Sequence, residues 1–331
     1  LAAGCVAIVK PAEESPVVAR RFVELLREAG VPPEAVQYLP GRGELVGEAL
    51  VRHPGVDVIA FTGSAEVGLH IIRAAAESPP APSGPKRVIA EMGGKNAIIV
   101  DEDADIDEAV AGVVASAFGY AGQKCSACSR VIVVGTAYRE FRDRLAGAVE
   151  SLPVGPPEDP WTAVPPVISP AAKEKIERYL DLGYAEGQLV ARGRAPEGEL
   201  YVAPHVFEGI SPDSPVARDE IFGPVLVIFP ADSFGDALSL ANDAEYALTG
   251  GVFSRNPRHL ELAVREFRVG NLYINRKITG AMVGRQPFGG FRRSGLGDKA
   301  GGPDTLLPYT LPRVVTENTL RRGFAEDFLA R

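Results

Sequence analysis

Val56-Asp57-Val58-Ile59-Ala60-Phe61-Thr62-Gly63-Ser64 runs from an apolar stretch into a glycine and a serine, and the segments on either side of it decide the fold. Val56–Phe61 has the composition of a strand, Ser64–Glu77 reads as a helix, and Lys86–Glu91 is extended again. A strand, a helix and a second strand in that order form a parallel βαβ unit. Upstream the alternation repeats. Cys5–Lys10 is a buried strand by composition. Ser15 can cap a helix with Pro16 at its first position, Val18, Phe22, Leu25, Leu26 and Ala29 recur at helical spacing, and Gly30 ends it. Val36–Leu39 is a short strand and Glu44–Arg52 a helix. Downstream, Asn96–Val100, Arg130–Val134, Val225–Phe229, Gly250–Phe253 and Gly270–Tyr273 read as strands. Helices are expected at Ile106–Ala121, Ala137–Glu150, Ala171–Tyr184, Phe234–Asn242 and Pro257–Glu266. The tail from Asp304 has no helical period and reads as an extended arm or edge strand. The fold class is α/β with parallel sheets, and Gly93-Gly94 mark the boundary between two regions.

The 331 residues suffice for two domains of ordinary size, and 46% hydrophobic with 24% charged residues describe a soluble globular chain. The net charge of −8 has no basic block within it, which argues against nucleic acid or an anionic membrane surface as partner. Apolar runs fall short of the ~18 residues of a membrane span. Three cysteines make no disulfide framework and fit a reducing, cytoplasmic setting. The opening Leu1–Lys10 carries no initiator Met and no signal-peptide pattern, and runs straight into an apolar strand that needs neighbours. It reads as a cut inside a domain, with the N-terminal part missing.

Gly122-Gln123-Lys124-Cys125-Ser126-Ala127-Cys128-Ser129-Arg130 forms a loop between an apolar helix and an apolar strand. Zinc requires about four ligands, and neither a second Cys pair nor a nearby His completes a set, so no metal is expected. An inert, packed cysteine and a nucleophile both remain open. Lys124 and Arg130 would supply positive charge to a thiolate, and Gly122 would allow close backbone approach. Glu91, at the end of a strand and before Gly93-Gly94, is either a rim salt bridge to Lys95 or a general base. Lys10-Pro11-Ala12-Glu13 and Phe61-Thr62-Gly63-Ser64 end strands, where open α/β sheets gather ligands. Gly63-Ser64-x-x-x-Gly68 could seat a phosphate at a helix start, although no G-x-G-x-x-G is present. Glu220-Ile221-Phe222-Gly223-Pro224 and Gln286-Pro287-Phe288-Gly289-Gly290-Phe291 are shaped loops, each with an aromatic that could equally be core packing.

In this order the six motifs resemble the aldehyde dehydrogenase superfamily over essentially the whole chain. Gly122–Arg130, Asn275-Arg276-Lys277-Ile278-Thr279-Gly280-Ala281 and Gln286–Gly290 look like its 1-pyrroline-5-carboxylate dehydrogenase branch, also found in bifunctional proline-utilisation enzymes. The resemblance implies residues 1–91 as the remaining part of a Rossmann-like NAD domain and 92–290 as an α/β catalytic domain. It implies 291–331 as a return to the NAD domain plus an oligomerisation arm, with Tyr309–Thr316 pairing with another copy in a dimer or larger homo-oligomer. The implied activity is oxidation of L-glutamate γ-semialdehyde to glutamate in proline degradation, with Cys125 as nucleophile and Glu91 activating water. Lys10, Glu13, Gly63, Ser64, Glu220 and Phe222 would hold NAD, while Ser126, Gly280, Ala281 and Phe288 would hold the small aldehyde substrate. A Glu at position 13 suits a ribose diol and repels a 2′-phosphate, which favours NAD over NADP. The family's oxyanion-hole Asn would lie before residue 1, and one such donor is typically worth about 10²–10³ in rate.

Overall fold

The computed structural model describes residues 1–198 and 200–319. The part of the C-terminal arm at 320–331 lies outside the described residues. The chain begins β1 (Ala7–Val9), α1 (Pro16–Glu28), β2 (Val36–Tyr38), a π-helical turn (Gly43–Gly47), α2 (Glu48–Arg52), β3 (Val58–Thr62), α3 (Ala65–Glu77) and β4 (Arg87–Glu91). It continues through β5 (Asn96–Val100), α4 (Ile106–Phe118), β6 (Cys128–Val134), α5 (Ala137–Glu150), α6 (Pro170–Glu186), β7 (Gln188–Arg192) and β8 (His205–Glu208). Then come α7 (Pro215–Arg218), β9 (Val225–Ala231), α8 (Phe234–Asn242), β10 (Tyr246–Ala247), β11 (Thr249–Phe253), α9 (Pro257–Glu266), β12 (Asn271–Ile274), β13 (Phe291–Arg292) and β14 (Gly295–Leu296).

A seven-stranded sheet in the order β12-β11-β5-β6-β9-β8-β7 forms the centre, parallel throughout except for β7 against β8. Its middle strands are buried on both faces: Ile98, Ile99, Val131, Ile132, Leu226 and Ile228 are all 0% exposed. Uninterrupted apolar runs such as these suit a parallel sheet covered by helices on each side. Phe141 and Leu145 of α5 and Ala237 of α8 supply that cover. A smaller sheet, β14-β4-β3, pairs β3 with β4 in parallel and takes β14 antiparallel on the other edge of β4. β1 and β2 make a separate parallel pair. Glu91 therefore ends the smaller sheet, and Asn96 opens the larger one.

Five expectations are corrected. β1 is not a buried strand: among the described residues only β2 pairs with it, and Ile8 is 46% exposed. The periodic face of α1 forms, but Val18, Phe22 and Leu25 point to solvent and only Val23 of the helix is buried. The helix expected at Glu44–Arg52 is divided, because the π turn takes its first part. The long helix stops at Phe118, since Tyr120 and Ala121 adopt left-handed backbone (φ 61° and 54°) and cannot continue it. The tail after Asp304 is not extended at once: Pro303–Tyr309 is a 3₁₀ helix, and 310–319 carries neither helix nor strand. The antiparallel edge β7–β8 was not anticipated. Its strands are short, and a register shift between Leu189 and Ala191 breaks their alternation.

Candidate active site

The Cys125 loop succeeds the left-handed turn at Tyr120-Ala121 and leads into β6. Gly122 is required here: its φ is 68°, and a Cβ on it would sit 2.3 Å from the Gly223 carbonyl oxygen. That close approach joins the Cys125 loop to the Glu220-Phe222 loop. Gly93 and Gly94 do the same from β4. A Cβ at Gly93 would lie 2.1 Å from the Glu220 carboxylate, and one at Gly94 would lie 2.4 Å from the Cys125 carbonyl. The double glycine thus lets three loops meet at Cys125.

Sequence reading missed the residue that holds this loop. Asn96, 3% exposed, donates from Nδ2 to the carbonyls of Cys125 (2.8 Å) and Ala127 (2.8 Å), and accepts the Thr249 N–H at Oδ1 (2.9 Å). Thr249 Oγ1 donates to the intervening Ser126 carbonyl at 3.3 Å. Three consecutive carbonyls are pinned on one side of the loop, which orients its N–H groups. A polar residue opening a buried strand was the available signal.

The electrostatics reverse one expectation. The Cys125 thiol is pushed up by burial and then by the carboxylates of Glu220 and Glu91, while the backbone N–H groups of Ser126 and of Cys125 itself pull it down. Lys124 and Arg130 are not among the groups that favour the thiolate. Arg130 is buried inside the sheet, its guanidinium donating to the carbonyls of Lys95, Leu240 and Ala241. Adjacency along the chain misleads here because β6 carries the arginine away from the loop. Cys128, raised to about 12 by burial, is the packed, inert cysteine.

Glu91 stands half-buried at the end of β4, with Oε2 buried and without a hydrogen-bond partner. Burial lifts its carboxyl to about 7, with Lys299 acting in the opposite direction. The salt bridge to Lys95 does not form: Lys95 is buried, its ammonium donates to the Val216 carbonyl at 2.7 Å, and burial lowers it to about 7. Glu220, raised by burial, accepts the Gly94 N–H at 3.0 Å, and Lys175 donates to its carbonyl at 2.8 Å. Phe222 beside it has φ 60°, a backbone conformation that costs a residue other than glycine about 1–3 kcal/mol and tends to persist at functional sites.

The other singled-out residues fall at two neighbouring places. At the ends of β1 and β3, Lys10 donates to the Gly41 carbonyl at 3.1 Å, and Glu13 accepts the Gly43 N–H at 2.5 Å. Gly63 donates its N–H to the Glu91 carbonyl at 3.1 Å, and Ser64 caps α3 by accepting from Val67 at 3.3 Å. The 13-residue α3 therefore starts one strand away from Glu91. On the far side, the loop after β12 is anchored by buried Ile278 and Thr279, and it carries Gly280 (φ 80°) and Ala281. Phe288 exchanges both backbone hydrogen bonds with Ala300. Ser126, 8% exposed, adjoins Cys125. Among the described residues no cluster of His, Cys, Asp and Glu could hold a metal, and no helix is long and apolar enough to cross a membrane.

Fold and site together define an α/β protein in which a loop cysteine on one sheet faces a carboxylate ending another. The aldehyde dehydrogenase family model matches residues 1–315, and the chain belongs to that family. It is 47% identical over 318 residues to a 1-pyrroline-5-carboxylate dehydrogenase of Geobacillus sp. (strain WCH70), a match covering 96% of this chain and 62% of that protein. It is similar in structure to proline utilization A from Bdellovibrio bacteriovorus, inactivated by N-propargylglycine, with a TM-score of 0.93 and 49% identity, covering 96% of this chain and 33% of that one. A 1-pyrroline-5-carboxylate dehydrogenase from Thermus with bound NAD superposes with a TM-score of 0.88 at 50% identity, covering 92% of this chain and 59% of that one. The chain thus spans less than two thirds of the length of these relatives.

Proposed function

We propose that the protein oxidises L-glutamate γ-semialdehyde to L-glutamate with NAD, as a step of proline degradation. The observation that carries this reading is the pairing of Cys125, held by Asn96 and Thr249, with a Glu91 carboxyl that titrates near neutrality within electrostatic reach of the thiol. Relatives named 1-pyrroline-5-carboxylate dehydrogenase at 44–47% identity support the choice of substrate.

The residues fit NAD. α3 starts at the end of a parallel strand, where helix N–H groups can meet a phosphate, and Gly63 packs against the Phe61 ring, which lies 2.4 Å from where a Cβ would stand. Lys10 and Glu13 flank the turn at Gly41–Gly43, in reach of a ribose diol. Glu220, tight against Gly93 and near enough to act on the Cys125 thiol, suits the second ribose, with Phe222 beside it. When bound, NAD supplies the hydride acceptor. The Cys125 thiol gives up its proton to solvent, and the thiolate adds to the aldehyde carbon to give a thiohemiacetal oxyanion, which is met by the oriented backbone N–H groups of the loop. That carbon releases its hydride and becomes a thioester. Glu91 takes a proton from water, the hydroxide adds to the thioester carbon, and the carbon–sulfur bond breaks to free glutamate and the thiolate. Ser126, Gly280 and Ala281 would receive the substrate's carboxylate and Phe288 its aliphatic part.

In this reading, residues 1–91 with 291 onward serve the cofactor and 92–290 serve catalysis. The protein would be a cytoplasmic homo-oligomer of two or more copies; three free cysteines and the exposed apolar tail (Leu311 62%, Val314 89%, Val315 73%) support it. The test is NADH formation with glutamate semialdehyde beside propanal and a Cys125→Ala variant. We expect a much higher kcat/KM for the carboxylate-bearing aldehyde and a loss on the order of 10⁴-fold or more in the variant. Equal kcat/KM for both aldehydes would overturn the substrate, and an active Cys125→Ala protein would overturn the chemistry.

A further inference from the structure

Glu91 faces Cys125 on one side and a second titratable group, Lys299, on the other. β14 pairs with β4 so that Gly295 is the partner of Glu91; four residues on, Lys299 lies near enough to act on the carboxylate. Gly289 lies between them. A Cβ there would sit 2.8 Å from Glu91 Oε1 and 3.5 Å from the Lys299 Cα, so only glycine lets the two residues line the same wall. The Lys299 ammonium donates to the carbonyls of Gly289 (2.5 Å) and Gly270 (2.7 Å) and to Asn271 Oδ1 (3.3 Å). Asn271 in turn donates to the Pro287 carbonyl at 2.8 Å and accepts the Gly289 N–H at 3.3 Å. One cation thus ties the segment carrying Phe288 and Gly289 to the start of β12, with Gly289 between it and the carboxylate.

We propose that Lys299 is the positioning residue of the hydrolytic base: it fixes the Gly289 wall against Glu91 and supplies the counter-charge that keeps this carboxylate in its ionised, water-activating form. The inference rests on Glu91 being that base. Burial opposes ionisation of Glu91, and its Oε2 has no donor to offset that. Two titratable groups face it. One is Lys299, whose charge favours the carboxylate, and the other is the Cys125 thiol, itself raised partly by Glu91. Lys299 is lowered by its own burial and raised by Glu91, as a cation held opposite a carboxylate should be. A carboxylate that loses a facing cation binds its proton more tightly.

The experiment compares Lys299→Met and Lys299→Arg with the parent enzyme across pH. It uses turnover of a p-nitrophenyl ester, which reaches an acyl-Cys125 intermediate without cofactor, and NADH formation with the aldehyde. For Lys299→Met we expect the ascending limb of turnover to move up by about one pH unit. Activity would be about five-fold lower at pH 7 and about ten-fold lower near pH 6, and would approach the parent at high pH, while Lys299→Arg would keep the parent limb. Coincident limbs for Lys299→Met and the parent would overturn the proposal. So would a loss that is uniform in pH and not restored by arginine, since that describes a clamp and nothing more. A Glu91→Gln enzyme that turns over normally would instead overturn the base itself, which keeps the two failures apart.

Discussion

The seven-stranded sheet and the N-terminal β1–α1–β2 layer carry the same kind of sequence, apolar strands beside an amphipathic helix, yet differ sharply in burial. In the first, Ile98, Ile132 and Val133 are 0% exposed, and α5 and α8 press apolar residues onto them. In the second, Val6, Ile8, Val18 and Phe22 are 73%, 46%, 73% and 56% exposed. Hydrophobic periodicity reports which face of an element wants cover, and the neighbours decide whether it gets any. In the proposed function the site joins two sheets: Cys125 lies in the loop that leads into β6 of the well-buried sheet, and Glu91 ends β4, the middle strand of the three-stranded one. On that reading each sheet supplies one reacting group, so the two should respond differently to substitution.

Glu91→Gln should have the largest effect. In the proposed reaction it leaves thiohemiacetal formation and hydride release intact but removes the base for hydrolysis, so one equivalent of NADH should form and turnover then fall by about 10²–10⁴-fold. Rapid-mixing measurement of NADH tests this, and the absence of a burst would mean that Glu91 acts before the thioester. The same variant reports on stability. The folded-state carboxyl is raised from 4.5 to about 7, so its stabilising, protonated form is fully present below pH 4.5 and is lost as pH rises through about 7. Near pH 8 the glutamine protein should therefore be more stable than the parent, on the order of 1–2 kcal/mol, and near pH 4 the two should match. Denaturant titrations at both pH values check it.

A truncation inside the seven-stranded sheet comes next. Ile132 sits in β6 between Ile99 and Phe229 in register, fully buried. Ile132→Ala should cost about 2–5 kcal/mol through lost burial and an unfilled cavity. A cost below about 1 kcal/mol in chemical denaturation would mean that the sheet collapses around the gap and is softer than its burial suggests.

Much of the fold is legible in the sequence. The bounds of β5, α5, α8 and α9 agree with the sequence reading; for α8 and α9 the Ser233 cap and the Asn256-Pro257 start state the limit directly. Gly122 and Gly93-Gly94 are also readable as places of close approach. The charges that surround Cys125 are not. Its chain neighbours Lys124 and Arg130 are cationic, while its neighbours in space, Glu91 and Glu220, arrive from strand ends far along the chain and carry the opposite sign. Asn96 and Lys299 escape notice for the same reason, since a hydrogen bond across 29 residues or more leaves no local pattern.

The smallest expected effect tests the other side of the comparison. Val18 is 73% exposed on α1, and serine and valine have nearly equal helix propensities. Val18→Ser should therefore change stability by no more than about 0.5 kcal/mol, as for other surface positions. The measurement is chemical denaturation at two protein concentrations, because an apolar face this open is also suited to association. If the substitution instead costs about 2 kcal/mol or more, the face of α1 is covered in solution, and the contrast with the seven-stranded sheet is one of partners rather than of design. A cost that grows with protein concentration would assign that cover to another copy of the chain, whereas one independent of concentration would assign it to contacts within the molecule.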